Sequence, residues 1–526
     1  MLPRNVGNPI EKGHQDSAAD KTNATGLADC ESGVLRMITG PAGQVTRSRR
    51  FRLLFLTVVA TCMCADLTVS PSSRVAAATE CSDSGTRRET VAVGVPGVGA
   101  GLVDVHDRDG GPQRVIRPEA LGYTGVAGDR FGASVVATNF NGDGCVDLVI
   151  GAPGTSGIGA VYVVFGTTTG VGLGAVVRLP YTGSPGDAFG AALAVWASAS
   201  DDSFSRIWVG APGRDVAGKT DAGAVVFYRL TGTDVSRKTL VTQNSRGIPG
   251  AAEPGDRFGQ VLAPVDRGGG VLVGQPREDV GTKVDAGMVT VIMAPDFIEG
   301  RAFVFTEDTP GMGGAAESGD RFGAAVSGQG ENYPIVGVPG EDLGSIRDTG
   351  MVHRIDIDVP IYQSGRPPVD FLYISQDSEG VPGRAEPGDR FGASVQRLPN
   401  APCYGAPFAI GAPGEDIGTV ADAGAVTMSG VDPASCPGRV YHRGSKARPG
   451  DRLGAALGLL LRDDLDFPQP QFARLVIGAP GEAVGSVPDA GVVEVLPLGA
   501  VSAESSFTLS TGSHAGTRYG SVLTRQ

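Results

Sequence analysis

Gly128-Asp-Arg-Phe-Gly132, followed by Gly151-Ala-Pro-Gly154, is the stretch that decides the fold, because both parts recur along the chain. The first part appears seven times, and consecutive copies start 58 to 69 residues apart. The other copies, some with substituted residues, start at 186, 255, 319, 388, 450 and 516. A regular period of this length is typical of arrays built from one repeated unit. The sequence therefore predicts a single large repeat array.

Each repeat contains short runs of small and β-branched residues bounded by glycine and proline. One run follows Phe-Gly, a second precedes Gly-x-Pro, a third follows Asp-Ala-Gly, and a less regular fourth closes the unit. Examples are Ala133–Ala137, Leu148–Ile150, Ala224–Tyr228 and Ala175–Leu179. Such runs are typical of strands. Four strands in each unit match the blade of a β-propeller, so we predict an all-β fold with four antiparallel strands per blade.

The two ends of the array complement each other. Val91-Ala-Val-Gly-Val-Pro-Gly97 has no Phe-Gly element before it, and Arg518-Tyr-Gly520 has no Gly-x-Pro element after it. We therefore predict a seven-bladed ring closed by the C-terminal strand, with the rest of that blade supplied by residues near 86–120. Closure of this kind removes exposed sheet edges.

The residues before the array are predicted to be a leader. Residues 1–46 lack periodicity and are interpreted as a disordered leader or an over-extended start. Residues 47–78 are interpreted as an export signal peptide, with basic Arg47–Arg50, an apolar run from Leu53 to Ala65, and small residues at Ala76–Ala78. The apolar run is too short to span a bilayer comfortably. We expect a secreted, extracellular propeller over residues 79–526, possible association with a cell surface, and no transmembrane span.

Charge and cysteine content narrow the partners and the compartment. The formal net charge is −13, and no basic stripe follows the leader, so nucleic acid is a poor partner. Cleavage after Ala78 leaves Cys81, Cys145, Cys403 and Cys436. In an exported chain these four permit disulfides. Cys403 and Cys436 fall in one repeat and are the favoured pair, with Cys81–Cys145 as the remainder. The alternative is a set of buried free thiols.

The paired motifs resemble FG-GAP repeats, which form the seven-bladed propeller of integrin α-subunit head regions. The resemblance covers about residues 79–526 and rests on seven copies of both motifs. It implies a propeller that binds calcium in some blades and acts as a recognition or adhesion module. The implied partner is an extracellular protein or a glycan, and the ring is expected to be monomeric.

One loop carries the calcium pattern of this family. The expected ligands are the side chains of Asn139, Asn141, Asp143 and Asp147 and the backbone carbonyl of Cys145, with Gly144 permitting the bend. Calcium takes six to eight oxygen ligands, which such a loop can turn inward. Asn139 replaces the usual aspartate and removes one negative charge. The alternative is an ordinary turn between two strands. The corresponding loops of the other repeats lack this register, so we predict one site.

A second repeated set combines Gly-Glu-Asp with a later aspartate, as in Gly340-Glu-Asp342 with Asp348. These carboxylates are expected near the arginines of the Gly-Asp-Arg turns. Because the set recurs in most repeats, ion pairing between loops and capping of turns is the simpler interpretation. The alternative is an acidic recognition rim.

Little in the sequence indicates catalysis. The five histidines show no zinc-ligand spacing, and neither a Gly-x-Ser-x-Gly elbow nor a phosphate loop is present. We expect a protein that is not an enzyme. The alternative is an exported propeller hydrolase with its site at the central channel, for which His353 is a candidate because it is not repeated.

Overall fold

The structure is a computed structural model. Strands and tight turns make up almost all of it. It describes residues 90–107, 114–172, 174–197, 204–265, 269–293, 302–328, 333–357, 369–398, 408–429, 438–460, 473–498, 507–510 and 516–523. The predictions for residues 1–46 and 47–78 and for Cys81, Cys403 and Cys436 fall outside these residues. No helix among the described residues is long and apolar enough to cross a bilayer.

Seven antiparallel four-stranded sheets form the blades, which confirms the predicted fold class. Blade 1 contains β1 (Thr90–Val95), β2 (Leu102–Asp107), β3 (Arg114–Ile116) and β28 (Val522–Leu523); blade 2 contains β4 (Ser134–Thr138), β5 (Asp147–Ala152), β6 (Ala160–Val164) and β7 (Val176–Arg178). Blade 3 contains β8 (Leu193–Trp196), β9 (Ser205–Ala211), β10 (Ala224–Thr231) and β11 (Asp234–Val241); blade 4 contains β12 (Val261–Val265), β13 (Gly270–Gln275), β14 (Met288–Ile292) and β15 (Ala302–Phe305). Blade 5 contains β16 (Ala325–Ser327), β17 (Ile335–Val338), β18 (Met351–Asp356) and β19 (Val369–Ile374); blade 6 contains β20 (Ser394–Arg397), β21 (Phe408–Ala412), β22 (Ala425–Ser429) and β23 (Arg439–Tyr441); blade 7 contains β24 (Ala456–Leu460), β25 (Arg474–Ala479), β26 (Val492–Pro497) and β27 (Phe507–Leu509). The described helical turns are short 3-10 segments at Pro118–Leu121, Thr155–Gly157 and Gly444–Lys446.

The ring closes as predicted, by pairing the C-terminal strand with the first strand of the chain. β28 is antiparallel to β1, with Val93 opposite Leu523 and Gly94 opposite Val522. A buried polar cluster lies beside this pairing: the Tyr519 hydroxyl donates to Asp104 Oδ2 at 3.0 Å, and His106 Nε2 lies 2.9 Å from the same oxygen. The first strands of neighbouring blades contact one another around the ring. Both ends of the array therefore build blade 1.

The residue before the second glycine of each Gly-Asp-Arg turn, aromatic in six of the seven copies, is a buried wedge between blades. Phe131, Phe189, Phe258, Phe322, Phe391, Leu453 and Tyr519 are each 0–1% exposed. Several of them form an isolated parallel bridge to a glycine of the preceding blade, such as Gly101 to Phe131 and Gly287 to Phe322. These side chains fill the seams between blades and supply apolar burial.

The motif glycines permit close contact of backbones between blades. Gly132 N donates to Gly151 O at 2.9 Å within blade 2. A Cβ on Gly151 would overlap the carbonyl oxygen of Gly190, which belongs to the start of blade 3. Because that obstacle is backbone, no side-chain movement can relieve it. The glycines of both motifs therefore allow the backbones of neighbouring blades to approach closely.

Blade topology separates two sets of loops. The Gly-Asp-Arg turn precedes the first strand, the Gly-x-Pro element ends the second, and Asp-Ala-Gly precedes the third, so all three lie at one end of each antiparallel blade. We call this end the turn face. The hairpin between the first and second strands, which includes residues 139–146 in blade 2, lies at the opposite end.

Candidate functional site

The predicted calcium loop joins β4 to β5, and Asp147 is fixed at its end. This carboxylate is fully buried. Its Oδ2 accepts a hydrogen bond from Phe140 N, and its Oδ1 accepts one from Gly166 N, each at 2.7 Å. Burial raises the pKa of Asp147 to about 7, although both backbone hydrogen bonds oppose the change. Asp147 therefore has a structural role that the sequence did not reveal, because Gly166 lies beyond the next strand.

Asn141 and Asp143 shape the tip of the loop. Asn141 Nδ2 donates to Asp143 Oδ2 at 2.9 Å, and Asp143 N donates to Asn141 Oδ1 at 3.1 Å. Cys145 N donates to Asp143 Oδ1 at 2.8 Å. Side-chain oxygens that cap nearby backbone N–H groups in this way stabilise a tight loop. The two side chains are thus held at one end of the hairpin.

The side chain of Asn139 supports a metal site in this loop. Its Oδ1 is buried and has no hydrogen-bond partner. An uncompensated buried oxygen costs free energy, and a cation would satisfy it. The loop thus combines one orphaned amide oxygen with the carboxylates of Asp143 and Asp147, which is a donor set that fits calcium. Cys145 is disulfide-bonded, with its partner outside the described residues, and its backbone carbonyl stays available in either redox state.

On the turn face, the aspartate of each Gly-Asp-Arg turn is a structural residue. Asp129 Oδ2 accepts a hydrogen bond from Val126 N at 2.9 Å, and Asp389 Oδ2 accepts one from Glu386 N at 2.6 Å. The same contact to the residue three positions earlier occurs at Asp187, Asp256, Asp320 and Asp451. The following residue has positive φ in all seven turns, for example 56° at Arg130. Sequence reasoning missed this cap, although the fixed aspartate position was its signal.

Turn capping, rather than ion pairing, dominates the second repeated set. Asp348 N donates to Asp342 Oδ1 at 2.8 Å, and the equivalent bonds join Asp221 to Asp215, Asp285 to Asp279 and Asp422 to Asp416. We expected the turn arginines to pair with these carboxylates. Among the described residues, such an ion pair forms between Arg257 and Asp221, whose Nη2 and Oδ2 atoms lie 3.9 Å apart. Both side chains are about 40% exposed, so this pair contributes little stability.

Three side chains converge at each of five blade junctions on the turn face. We call each set an inter-blade triad. It consists of a residue two or three positions after the last strand of one blade, the turn aspartate, and the second residue after Gly-x-Pro in the next blade. The sets are Tyr181/Asp187/Arg214, Gln243/Asp256/Glu278, Glu307/Asp320/Glu341, Gln376/Asp389/Glu415 and Arg443/Asp451/Glu482. In four of them an amide or guanidinium group donates to a carboxylate: Arg214 to Asp187, Gln243 to Glu278, Gln376 to Glu415 and Arg443 to Glu482.

The inter-blade triad that contains Glu278 predicts that the stability of the fold depends on pH. Burial, with a smaller contribution from Asp256, raises the pKa of Glu278 from its usual 4.5 to about 8. The folded protein therefore binds this proton more tightly, so the stability that it contributes is complete below pH 4.5 and is lost as the pH rises toward 8. Glu278→Gln should make the pH slope of the unfolding free energy less negative, by up to about 1.4 kcal/mol per pH unit between roughly pH 5 and 8.

Urea unfolding in metal-free buffer at several pH values would measure this slope. The exposed Asp234, replaced by asparagine, serves as the control. An unchanged slope in Glu278→Gln would show that this carboxyl group does not take up a proton on folding.

The central channel contains no titratable group among the residues that the structure places around it. The first strands of all seven blades surround a cavity of about 230 Å³. Its lining consists of alanine, valine, leucine, serine and one glutamine. His353, the candidate of the hydrolase alternative, is 0% exposed in β18, and its Nε2 lies 3.1 Å from Glu307 Oε1. This histidine therefore lies in a blade junction and does not line the channel.

The ring and its repeated turns define the class of the protein, a seven-bladed β-propeller. Residues 131–164, from the wedge Phe131 to the end of β6, match the family model of the FG-GAP repeat, which confirms the resemblance seen in the sequence. No curated protein matches the sequence significantly. Among solved structures, TolB from Acinetobacter baumannii matches with a TM-score of 0.31 and 11% identity over 68% of this chain and 65% of that chain. The chain thus spans less than two thirds of that structure's length.

Proposed function

We propose that this protein is an exported, calcium-binding FG-GAP propeller that recognises an extracellular protein or glycan. The observation that carries the proposal is the buried, unpartnered Oδ1 of Asn139 in one loop with Asp143 and Asp147. This loop lies within the segment that matches the FG-GAP repeat. In this family such repeats bind calcium in integrins, which supports the same role for the loop.

The side chains of Asn139, Asn141, Asp143 and Asp147 and the carbonyl of Cys145 would hold the ion. A bound calcium would supply two positive charges to a loop that contains two carboxylates. The chain's own contribution is to fix the donors: Asp147 is anchored by two backbone N–H groups, and Asp143 by Cys145 N. Calcium would thus order the hairpin end of blade 2 and serve a structural purpose.

Export is supported by the disulfide at Cys145, because disulfides persist in oxidising compartments. The basic and apolar segment in residues 47–78 has the pattern of a signal peptide. Extracellular calcium is abundant enough to fill sites of modest affinity, which matches a loop whose first ligand is the neutral Asn139.

A recognition role is favoured over catalysis by where the charges lie. The channel lining in the described part has no acid or base that could act on a substrate. The turn face, in contrast, exposes Arg130, Arg321, Arg390, Arg452 and Arg518 beside the aspartate-capped loops. A mixed-charge rim of this kind suits polar partners such as acidic protein segments or glycans. We propose the turn face of a monomeric ring as the binding surface.

Asp143→Ala tests the calcium site. Because it removes one charged ligand from a preformed loop, we expect the affinity of this site to fall by at least about tenfold. Isothermal titration calorimetry with CaCl2 on the metal-free full chain measures the loss, and Asp234→Ala on an exposed hairpin is the matched control. Identical binding heats and stoichiometry in all three proteins would contradict calcium binding at this loop.

The proposed recognition of an extracellular protein or glycan is tested by measuring binding of the full chain to an array of glycans and matrix proteins. We expect retention that weakens in Arg390→Glu on the turn face. Retention of neither class, together with turnover of a glycoside or ester substrate, would favour the hydrolase alternative instead.

A further inference from the structure

We propose that Glu307, Asp320 and Glu341 form a second divalent-cation site, at the junction of blades 4 and 5 on the turn face. Each residue offers a carboxylate oxygen, and these oxygens lie within 4.8 Å of one another. The three residues are 2%, 1% and 8% exposed, respectively. Such a site is separate from the loop in blade 2, which lies at the other end of the blades.

Two of the other inter-blade triads contain an amide hydrogen-bond donor that this cluster lacks. In both, a glutamine amide donates to the Oε2 of the glutamate: Gln243 to Glu278 at 2.8 Å, and Gln376 to Glu415 at 2.5 Å. Glu307 takes the place of the glutamine and has no N–H to donate. Accordingly, the equivalent Oε2 of Glu341 is buried without a hydrogen-bond partner, and so is Oε2 of Glu307. Each glutamine triad also has one orphaned oxygen, Oε1 of Gln243 or Gln376. The exchange of one amide for a carboxylate therefore adds a second orphaned oxygen, Oε2 of Glu341, to this cluster.

The surrounding charges do not compensate for three carboxylates. Asp320 accepts a hydrogen bond from Glu317 N, which is a neutral donor. His353 Nε2 lies 3.1 Å from Glu307 Oε1 and can add at most one positive charge. The other triads include Arg214 or Arg443, or replace one carboxylate by an amide. A divalent cation would balance the remaining charge and satisfy both orphaned oxygens.

The carboxylates of the cluster face a glycine, Gly314, on one side. The atoms nearest to a Cβ placed on Gly314 are Glu307 Oε1 at 3.3 Å and Glu341 Oε1 at 3.9 Å. The glycine therefore leaves the carboxylates uncovered by a side chain on that side. Because the donors are hard oxygen atoms and no sulfur takes part, calcium or manganese suits the site better than zinc.

Glu307→Gln provides a sharp test, because it recreates a set of residues that this fold already holds at two other junctions. The experiment uses the full chain with Asp143→Ala, which weakens the loop in blade 2, and a metal range below the one that this weakened loop binds. CaCl2 and MnCl2 are titrated calorimetrically into the metal-free protein with and without Glu307→Gln. We expect one site in Asp143→Ala, and none after Glu307→Gln is added.

Thermal unfolding gives a second readout. With free metal at about 100 times its Kd, one site should raise the Tm of a ring of this size by about 3 °C. This rise should vanish in Glu307→Gln, whose Tm without metal should equal or exceed that of the parent because the amide pairs with Glu341. Glu341→Gln, which restores a donor from the other side, should behave in the same way.

Two results would overturn the proposal. The first is that the Asp143→Ala protein binds neither calcium nor manganese, which would mean that protons and His353 alone neutralise the cluster. The second is equal metal stoichiometry with and without Glu307→Gln. A drop of one site between the wild type and Asp143→Ala concerns the loop in blade 2, and a further drop of one site on adding Glu307→Gln concerns this cluster, so failure of the two sites can be distinguished.

Discussion

Gly154→Ala should destabilise the ring by about 3 kcal/mol, whereas the same change at Gly97 should be close to neutral. Both residues end a Gly-x-Pro-Gly element, and neither has a positive φ. A Cβ on Gly154 would overlap the carbonyl oxygen of Gly128 and approach Asp129 C at 3.1 Å. A Cβ on Gly97 would meet nothing nearer than Thr517 O at 3.8 Å. The two positions thus differ in the backbone that faces them.

The pair is informative because a carbonyl oxygen cannot turn away as a flexible side chain can. In blade 2 the Gly-Asp-Arg turn is held by Asp129, whose carbonyl accepts a hydrogen bond from Gly154 N at 2.9 Å. Relief of the overlap would require breaking that contact. Urea unfolding of both variants, with circular dichroism to confirm folding, measures the difference. Equal changes in the free energy of unfolding at the two glycines would show that the turn of blade 2 can move aside without loss of stability.

Asp147→Asn should destabilise the fold by about 2 to 4 kcal/mol, in EGTA as well as in calcium. The carboxylate accepts two backbone hydrogen bonds of 2.7 Å while fully buried. An asparagine keeps one acceptor and turns an NH2 group toward the other backbone N–H, so that two donors face each other. The loss therefore does not depend on a bound metal.

Asp143→Asn is the matched comparison, since it also removes one carboxylate from the proposed calcium loop. Asp143 lies at the partly exposed tip, where water can replace its contacts, so its loss should matter in calcium and hardly at all in EGTA. The midpoints of urea unfolding in both buffers separate the two roles. A neutral effect of Asp147→Asn in EGTA would mean that this carboxylate serves the metal alone.

Periodicity predicted the fold because each repeated residue has a mechanical purpose in every blade. The aromatic wedge, the close contact at Gly151 and the pairing of β28 with β1 all follow from motifs that can be read in order along the chain. Strand positions follow from β-branched runs between glycines. Ring closure follows from the two half-motifs at the ends of the array.

The sites were harder to predict because their contacts join residues that are far apart in the sequence, some of them in different blades. The sequence assigned Asp147 only as a ligand, whereas its contact with Gly166 N lies 19 positions away. The partners Gln243 and Glu278 are 35 positions apart, and nothing local marks them as a pair. Glu307 occupies the position that glutamine occupies at two other junctions, and this equivalence is recognised only when the blade junctions are compared with one another. The predicted export signal and the pairings of Cys81, Cys403 and Cys436 remain predictions.

The seam in blade 1 sets the order in which the molecule can be made. The Tyr519 hydroxyl bonds to Asp104, 415 positions earlier in the chain. On a ribosome the N-terminal part of this blade emerges first and must wait for its partner strand, which is synthesised last. Until then β1 presents an unpaired edge that can join a neighbouring nascent chain. Because this pairing joins residues so far apart in the sequence, we expect the closure of blade 1 to be a late and slow step of folding.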